Sequence, residues 1–136
     1  MKTYNLDKDI KVFGLQVKTF PSGIGEAFIE LIKKTGDAAG SRAYYGISEF
    51  NGGKMTYYAV AEEKFSGEAE KYKCEKLKIE KGEYVTTTVL EWRRKTDCIK
   101  DVFQELLQDS RVNKTKPAIE WYKDDNEMMC MVELNN

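Results

Sequence analysis

The sequence predicts an α+β fold in which a duplicated βαββ unit forms a mainly antiparallel sheet, with two helices on one face and a ligand groove at the pseudo-twofold axis. Two apolar patterns, at residues 24–32 and 99–107, follow the i, i+3, i+4, i+7, i+8 spacing of a helix with one buried face. Each member of the first set maps onto the second with the same shift of 75 residues. The sets are Ile24, Ala27, Phe28, Leu31 and Ile32, and Ile99, Val102, Phe103, Leu106 and Leu107.

Strand-like runs surround both helices in the same order. One run precedes each helix and two follow it, and corresponding runs start 72 to 74 residues apart. We therefore expect a single domain over residues 1–136, with repeats over about residues 10–63 and about residues 77–134. Helices on one face of such a sheet leave the other face to water, a partner or a ligand, and the seam between repeats is a natural ligand site.

The first repeat begins, after a polar lead-in, with a strand over residues 10–20 that is rich in Val and Phe. Pro21 breaks this strand, and Ser22 is the predicted N-cap of the first helix. Two strands follow the helix at residues 44–50 and 55–63, joined by a hairpin turn at Asn51-Gly52-Gly53.

A charged segment, residues 64–76, is the predicted link to the second repeat. That repeat starts with a short alternating run and continues into a β-branched and aromatic strand over residues 83–92. Thr96-Asp97 is the predicted cap of the second helix. The final hairpin comprises residues 118–123 and 128–134, joined across Asp124-Asp125-Asn126.

Composition excludes several classes of function. The 136 residues include 22 basic and 23 acidic side chains and no histidine. The absence of histidine excludes imidazole proton shuttles, Ser-His-Asp and Cys-His catalysis and the usual zinc sites. Lys and Glu are interspersed, and no segment could form a helix-turn-helix, so direct nucleic-acid binding is not expected. We expect no metal and no cofactor.

The cellular compartment follows from what the sequence lacks. No run is apolar and long enough for a membrane span or signal peptide. The cysteines, Cys74, Cys98 and Cys130, are widely spaced and odd in number, as is typical of reduced thiols. We therefore expect a cytoplasmic protein that does not contact membranes.

Glu120 is the clearest candidate for a functional residue. It lies in a strand-like run between apolar residues, and alternation puts it on the same face as Ala118 and Tyr122, with Ile119 and Trp121 opposite. A carboxylate among aromatic rings suits a cationic ligand, because ring faces attract cations and the acid orients them. The alternative is an edge-strand glutamate that points at solvent or pairs with a lysine.

Aromatic residues in the predicted strands supply further candidates for ligand contact. In each adjacent tyrosine pair one member faces the helices and the other the open side, and the sequence leaves open which one lines the groove. The candidates besides Glu120 are Tyr45, Tyr57, Trp92, Tyr122, Phe13 and Leu15.

These features resemble the GyrI-like small-molecule-binding family, also called the bacterial transcription activator effector-binding domain. The resemblance extends from about residue 10 to residue 134, and it rests on the order and spacing of five short matches. The matches are Val12-Phe13-Gly14, Tyr45-Gly46-Ile47, Tyr57-Tyr58-Ala59-Val60-Ala61, Gly82-Glu83-Tyr84, and Pro117, Ile119, Glu120 and Tyr122 near the end.

The resemblance implies two βαββ repeats with a groove along the pseudo-twofold axis. In the family this groove binds hydrophobic, often cationic drugs, and an acidic residue at the position of Glu120 contacts them. Some members are sensing domains of transcription regulators, one type inhibits gyrase, and some hydrolyse cyclopropane-bearing toxins.

The leading hypothesis is a stand-alone cytoplasmic protein that binds hydrophobic, cationic compounds for multidrug sensing or sequestration. One alternative is a hydrolase in which Glu120 acts as general acid or base and a tyrosine donates a hydrogen bond. Another is an interaction module of the gyrase-inhibitor type that uses an exposed sheet face or edge. The identity of any protein partner is left open.

Overall fold

The computed structural model describes residues 2–20, 22–36, 42–124 and 126–135. Eight strands form one sheet in the order β1-β6-β8-β7-β3-β4-β2-β5, and all neighbouring strands are antiparallel. The helices are α1 (Ile24–Thr35), α2 (Glu68–Lys71) and α3 (Ile99–Leu107). The strands are β1 (Lys2–Leu6), β2 (Ile10–Gln16), β3 (Tyr44–Asn51), β4 (Lys54–Glu62), β5 (Glu75–Ile79), β6 (Gly82–Leu90), β7 (Ala118–Tyr122) and β8 (Glu127–Glu133).

The α+β class and both long helices are confirmed. Leu31 of α1 and Leu106 of α3 are completely buried against the sheet. The apolar stripe of α1 is narrower than predicted, because Ile32 is 40% exposed.

The amino-terminal lead-in is a strand, which the sequence interpretation missed. Residues 2–6 form β1, which pairs with β6 in a register that sets Tyr4 opposite Tyr84. Polar residues predominate in β1, but Tyr4 and Leu6, two positions apart, both pack against the core. This short alternation is the feature of the sequence that indicates a strand here.

The predicted charged linker is also structured. It contains α2 and leads into β5, and Glu68 of α2 is buried in an ion pair with Arg42. The guanidinium donates from Nη1 and Nη2 to the two carboxylate oxygens at 3.0 and 2.9 Å. The sequence predicts this segment only as a charged link, because the buried partner of its central acid is supplied by the tertiary structure.

The predicted helix caps are wrong. Gly23, not Ser22, is the N-cap residue of α1, with φ of 90°, and the Ser22 carbonyl accepts a hydrogen bond from the Thr19 hydroxyl. Thr96–Cys98 forms a 3₁₀ turn before α3, and no side chain caps that helix. Strand β2 ends at Gln16, four residues before the predicted end. Pro21 and Asp125, both assigned to turns, lie outside the described residues.

The face opposite the helices is not open, contrary to the prediction. Val60, Ile47 and Met131 are buried there in a second apolar core. The sheet curls onto this face, because β5 lies at one edge while β6 is next to the other edge, and only residues 80 and 81 connect them. Such a short connection spans about 10 Å at most, so the two ends of the sheet must lie close together.

No helix in the described ranges is both long and apolar enough to cross a membrane.

Candidate ligand site

Glu120 lies at the middle of the sheet, where the two halves of the chain meet. In the pairing of β7 with β3 it is opposite Gly46, and in the pairing with β8 it is opposite Cys130. Its neighbours at alternate positions, Ala118 and Tyr122, pack in the apolar cluster beneath α3. Glu120 therefore lies on the helix-covered face, together with Ala118 and Tyr122 as predicted and opposite to Ile119 and Trp121.

Tyr57 reaches Glu120 across an intervening strand. Tyr57 is on β4, which is separated from β7 by β3. A Cβ atom at Gly46 of β3 would overlap both the Tyr57 hydroxyl oxygen and Glu120 Oε1. The missing side chain of Gly46 thus gives the phenol a path over the backbone to the carboxyl group.

Two tyrosine hydroxyls donate to the same oxygen of Glu120. The Tyr57 hydroxyl donates to Oε1 at 2.5 Å and the Tyr122 hydroxyl at 2.7 Å, and the two phenol oxygens are 3.2 Å apart. Among the described residues no donor reaches Oε2, and Oε2 is not sealed from solvent. Glu120 therefore has one saturated oxygen and one available oxygen, and the residue as a whole is partly exposed.

No lysine or arginine of the described chain neutralises this carboxyl group. Burial raises the pKa of Glu120, and the hydrogen bonds from Tyr57 and Tyr122 offset this only in part. Burial and the adjacent Glu120 charge raise the pKa of both tyrosines, so their hydroxyls stay protonated at neutral pH. The same two causes raise the pKa of Cys130 to about 12, so this thiol is not a nucleophile here.

Aromatic rings from three segments pack against the two tyrosines that bind the carboxyl group. Phe20 stacks on Tyr57 with ring centroids 5.1 Å apart. Phe28 of α1 and Trp92 contact Tyr122 edge-on, at centroid distances of 5.3 and 4.9 Å. All of these rings except Tyr57 are partly exposed. We call Glu120, Tyr57, Tyr122, Phe20, Phe28 and Trp92 the aromatic–carboxyl cluster.

Trp92 reaches this cluster from a turn and not from a strand as predicted. Strand β6 ends at Leu90, and Glu91, with φ of 54°, directs the chain into a 3₁₀ turn over Trp92–Arg94. The indole N–H donates to the Asp124 carbonyl at 2.9 Å. This bond holds the indole ring beside the β7–β8 hairpin and therefore beside Tyr122.

The structure brings together four of the predicted ligand-binding residues. These are Glu120, Tyr57, Tyr122 and Trp92. Phe13 and Leu15 lie in a separate cluster beneath α1. Tyr45 is on the opposite face, where its ring lies 5.9 Å from that of Trp121.

Sequence reasoning missed three members of the site. The sequence singles out Gly46 only within the Tyr45-Gly46-Ile47 match, although an interior glycine often marks a close approach by another group. Phe28 was assigned to the buried helix stripe, and Phe20 to the end of a strand. Neither phenylalanine carried a signal that could distinguish a site from a core position.

Two surface hollows are lined by residues outside the cluster. One, of about 490 Å³, is next to the start of α1 and is lined by residues that include Thr19, Gly23 and Glu26. The other, of about 470 Å³, lies between Asp9 and the segment around Phe65. Glu120 lines neither hollow.

Comparisons with known proteins identify the fold. No family model and no curated protein sequence matches the chain. Among solved structures, an integron cassette protein from the mobile metagenome of Vibrio cholerae is 15% identical with a TM-score of 0.72, and the match covers 98% of this chain and 95% of that chain. The structure of SAV2435 bound to tetraphenylphosphonium is 13% identical with a TM-score of 0.70 and coverages of 99% and 93%.

A third similar structure is described as a hydrolase from Listeria innocua. It is 11% identical with a TM-score of 0.61, and the match covers 98% of this chain and 90% of that chain. Identities at this level establish a shared fold. The fold is one in which at least one other protein holds a hydrophobic cation.

Proposed function

We propose that this protein binds hydrophobic, cationic small molecules in the cytoplasm, as a GyrI-like effector-binding protein that senses or sequesters them. The observation that supports this most strongly is Glu120, a partly buried carboxyl group among aromatic rings with no cationic partner among the described residues. The tetraphenylphosphonium held by a protein of the same fold gives a model for the class of guest.

The electrostatics of the site favour a cation. An unpaired carboxylate away from water is costly, and a guest of opposite charge removes that cost. The faces of Trp92 and Phe28 attract a delocalised cation, at about 0.5–2 kcal/mol for each good contact. Glu120 Oε2, which has no donor among the described residues, is the atom that would face the guest.

The strand order supports a pseudo-twofold relation between the halves. Exchanging β1 with β5, β2 with β6, β3 with β7 and β4 with β8 returns the same order read backwards. The axis of this exchange would pass through the pair formed by Gly46 and Glu120, which are 74 residues apart. One half would then supply the carboxyl group and the other would supply Gly46 and the Tyr57 hydroxyl that reaches it there, and the guest would bind at this seam between α1 and α3.

Binding of a bulky guest at the seam is expected to move the rings that cover Tyr122 apart. Neither surface hollow reaches Glu120, whereas Phe28 and Trp92 cover the two sides of Tyr122 and are partly exposed. Movement of these two rings would open a path to Oε2 without disturbing the sheet. Guest binding is therefore expected to depend on side-chain rearrangement at α1 and at the turn before α3.

Calorimetric titration with tetraphenylphosphonium tests the proposal. We expect binding tighter than millimolar, weaker binding of the neutral triphenylphosphine oxide, and a loss of about tenfold or more in affinity, about 1.4 kcal/mol, in Glu120→Gln. Glu133→Gln is the matched control, because Glu133 is also partly buried beside a tyrosine but lies near Lys116. Equal affinity of all three proteins would contradict a role for Glu120.

Hydrolysis of a reactive toxin is a second candidate function. Glu120 Oε2 could take a proton from a water molecule, while a nearby phenol hydroxyl could donate to the developing negative charge. A carboxyl group with a raised pKa suits this role. Turnover of a cyclopropane-bearing alkylating compound that is lost in Glu120→Gln would support hydrolysis, and binding without turnover would exclude it for that compound.

A further inference from the structure

The two oxygens of Glu120 have different surroundings, and this difference determines what the site can hold. Oε1 accepts hydrogen bonds from Tyr57 and Tyr122 and has no room for another strong donor. Oε2 accepts none from the described residues. A carboxylic acid matches this arrangement if its carbonyl oxygen is Oε1 and its proton is on Oε2. A carboxylate matches it if a cation lies beside Oε2.

The groups that face Glu120 supply no other compensating charge. The ionisable groups are the phenols of Tyr57 on β4 and Tyr122 on β7 and the thiol of Cys130 on β8, all neutral at pH 7. Strand β3 presents Gly46, and α1 presents apolar residues such as Phe28. Three basic residues, Arg93, Arg94 and Lys95, lie on the segment before α3. Arg93 lies over the Trp92 ring at 4.8 Å, and none of the three contributes to the electrostatics of Glu120.

We propose that a proton and the cationic guest are alternative occupants of the position beside Glu120 Oε2, so that binding of each cation releases a proton. This inference rests on the proposed function and adds its regulation by pH. In the unliganded protein the O–H bond on Oε2 keeps the site neutral. When a permanent cation enters, that bond breaks, the proton passes to water, and the resulting carboxylate pairs with the guest. The net charge of the site is the same before and after.

Tyr57 adjusts the pH at which this exchange occurs. Its hydroxyl donates to Oε1 and thereby stabilises the carboxylate. The residue is 1% exposed, and its ring is stacked on Phe20, so Tyr57→Phe removes the hydroxyl while it keeps the packing. In this variant Glu120 is expected to keep its proton to a higher pH than in the natural protein. The affinity for the cation should therefore continue to rise with pH up to that higher value before it becomes constant.

The experiment is calorimetric titration of the whole protein with tetraphenylphosphonium chloride, in two buffers of unlike ionisation enthalpy, from about pH 4.5 to about pH 7. The chain contains no histidine, so no side chain with an ordinary pKa titrates in the upper part of this range. Burial also raises the pKa of Glu133, and the Glu133→Gln variant accounts for that group. Below the pKa of Glu120 we expect release of close to one proton and a rise in affinity of about tenfold per pH unit. Above it, both effects should disappear.

Variants separate the exchange from other causes of pH dependence. Glu133→Gln is expected to retain the natural pH profile, and Tyr57→Phe to move the profile to higher pH. Circular dichroism at each pH confirms that the variants are folded. Binding with no proton release and constant affinity over the whole range would overturn the exchange and leave the proposed function in place. Absence of binding at every pH would overturn both.

Discussion

At the scale of single residues, the site depends on one carboxyl group and one glycine that face each other across two strands. Glu120 was predicted with its face and its neighbours on β7, because alternation along a strand is a local property. Gly46 and Tyr57 could not be predicted as its partners. Their proximity to Glu120 depends on the register between β3, β4 and β7, which joins residues more than 60 positions apart.

Gly46→Ala is expected to destabilise the protein by about 1–3 kcal/mol, because the methyl group would displace the Tyr57 hydroxyl and Glu120 Oε1. Gly25→Ala is the matched control, since no atom lies within 4 Å of a Cβ atom at that position in α1. There alanine should stabilise the helix by up to about 1 kcal/mol. Urea denaturation measures both changes. A Gly46→Ala protein as stable as the natural one would contradict the described contact.

Glu120→Gln is expected to alter the pH dependence of stability. The pKa of Glu120 is raised in the folded protein. Its contribution to the free energy of unfolding is therefore complete below the pKa of a glutamate in the unfolded chain, about 4.3, and is lost as pH rises through the pKa in the folded protein. Glutamine does not ionise, and its amide oxygen can accept from both tyrosines.

The variant should therefore be more stable than the natural protein at neutral pH, with the difference shrinking below about pH 4. Urea midpoints measured against pH test this, and a difference that does not change with pH would contradict it.

At the scale of secondary-structure elements, prediction succeeded where the apolar pattern is strong and failed where an element is short and mostly polar. The periodicity of α1 and α3 extends over two turns or more, and β7 and β8 lie within a residue of their predicted starts. Strand β1 and helix α2 are five and four residues long and mostly polar, so their apolar signal is weak. Tertiary contacts stabilise both elements: β1 pairs with β6, and Glu68 of α2 pairs with Arg42.

Loss of the ion pair at α2 is expected to be costly. Glu68→Gln removes the carboxylate charge that pairs with the buried Arg42 guanidinium, and we expect a loss of about 3–5 kcal/mol in the free energy of unfolding. Burial acts to raise the pKa of Glu68, but hydrogen bonds from Arg42 and the Lys64 amide outweigh it and lower the pKa. The stabilisation is thus present above the unfolded pKa of Glu68 and is lost as pH falls through the folded pKa.

Glu70→Gln provides the comparison on the same helix. Glu70 pairs with Lys76 at 2.9 Å, but both side chains are more than half exposed, so water screens the interaction. We expect no measurable change in the urea midpoint. Equal destabilisation by the two substitutions would contradict a special role for the buried pair.

At the scale of the whole molecule, the sheet is shared between the two halves of the chain. Strand β1 of the first half pairs with β6 of the second, and β5 of the second half pairs with β2 of the first. The sequence predicted neither β1 nor this exchange, because nothing in a local pattern specifies which distant strand completes an edge. The same exchange curls the sheet and buries the face that was expected to be open.

Separated halves are expected not to fold alone. A fragment of residues 1–73 leaves β1 without β6, and a fragment of residues 74–136 leaves β5 without β2. Each should lack a cooperative thermal transition by circular dichroism, whereas an equimolar mixture should recover one. A cooperative transition in either fragment alone would show that the halves are independent units.

The most direct test of the central claim is a crystal structure of the protein with tetraphenylphosphonium. We predict a cation beside Glu120 Oε2, with its phosphorus within about 6 Å of the Tyr122 or Trp92 ring centroid and with Phe28 moved aside. A cation bound instead in the hollow beside Gly23, or on the opposite face beside Tyr45, would contradict the proposed site.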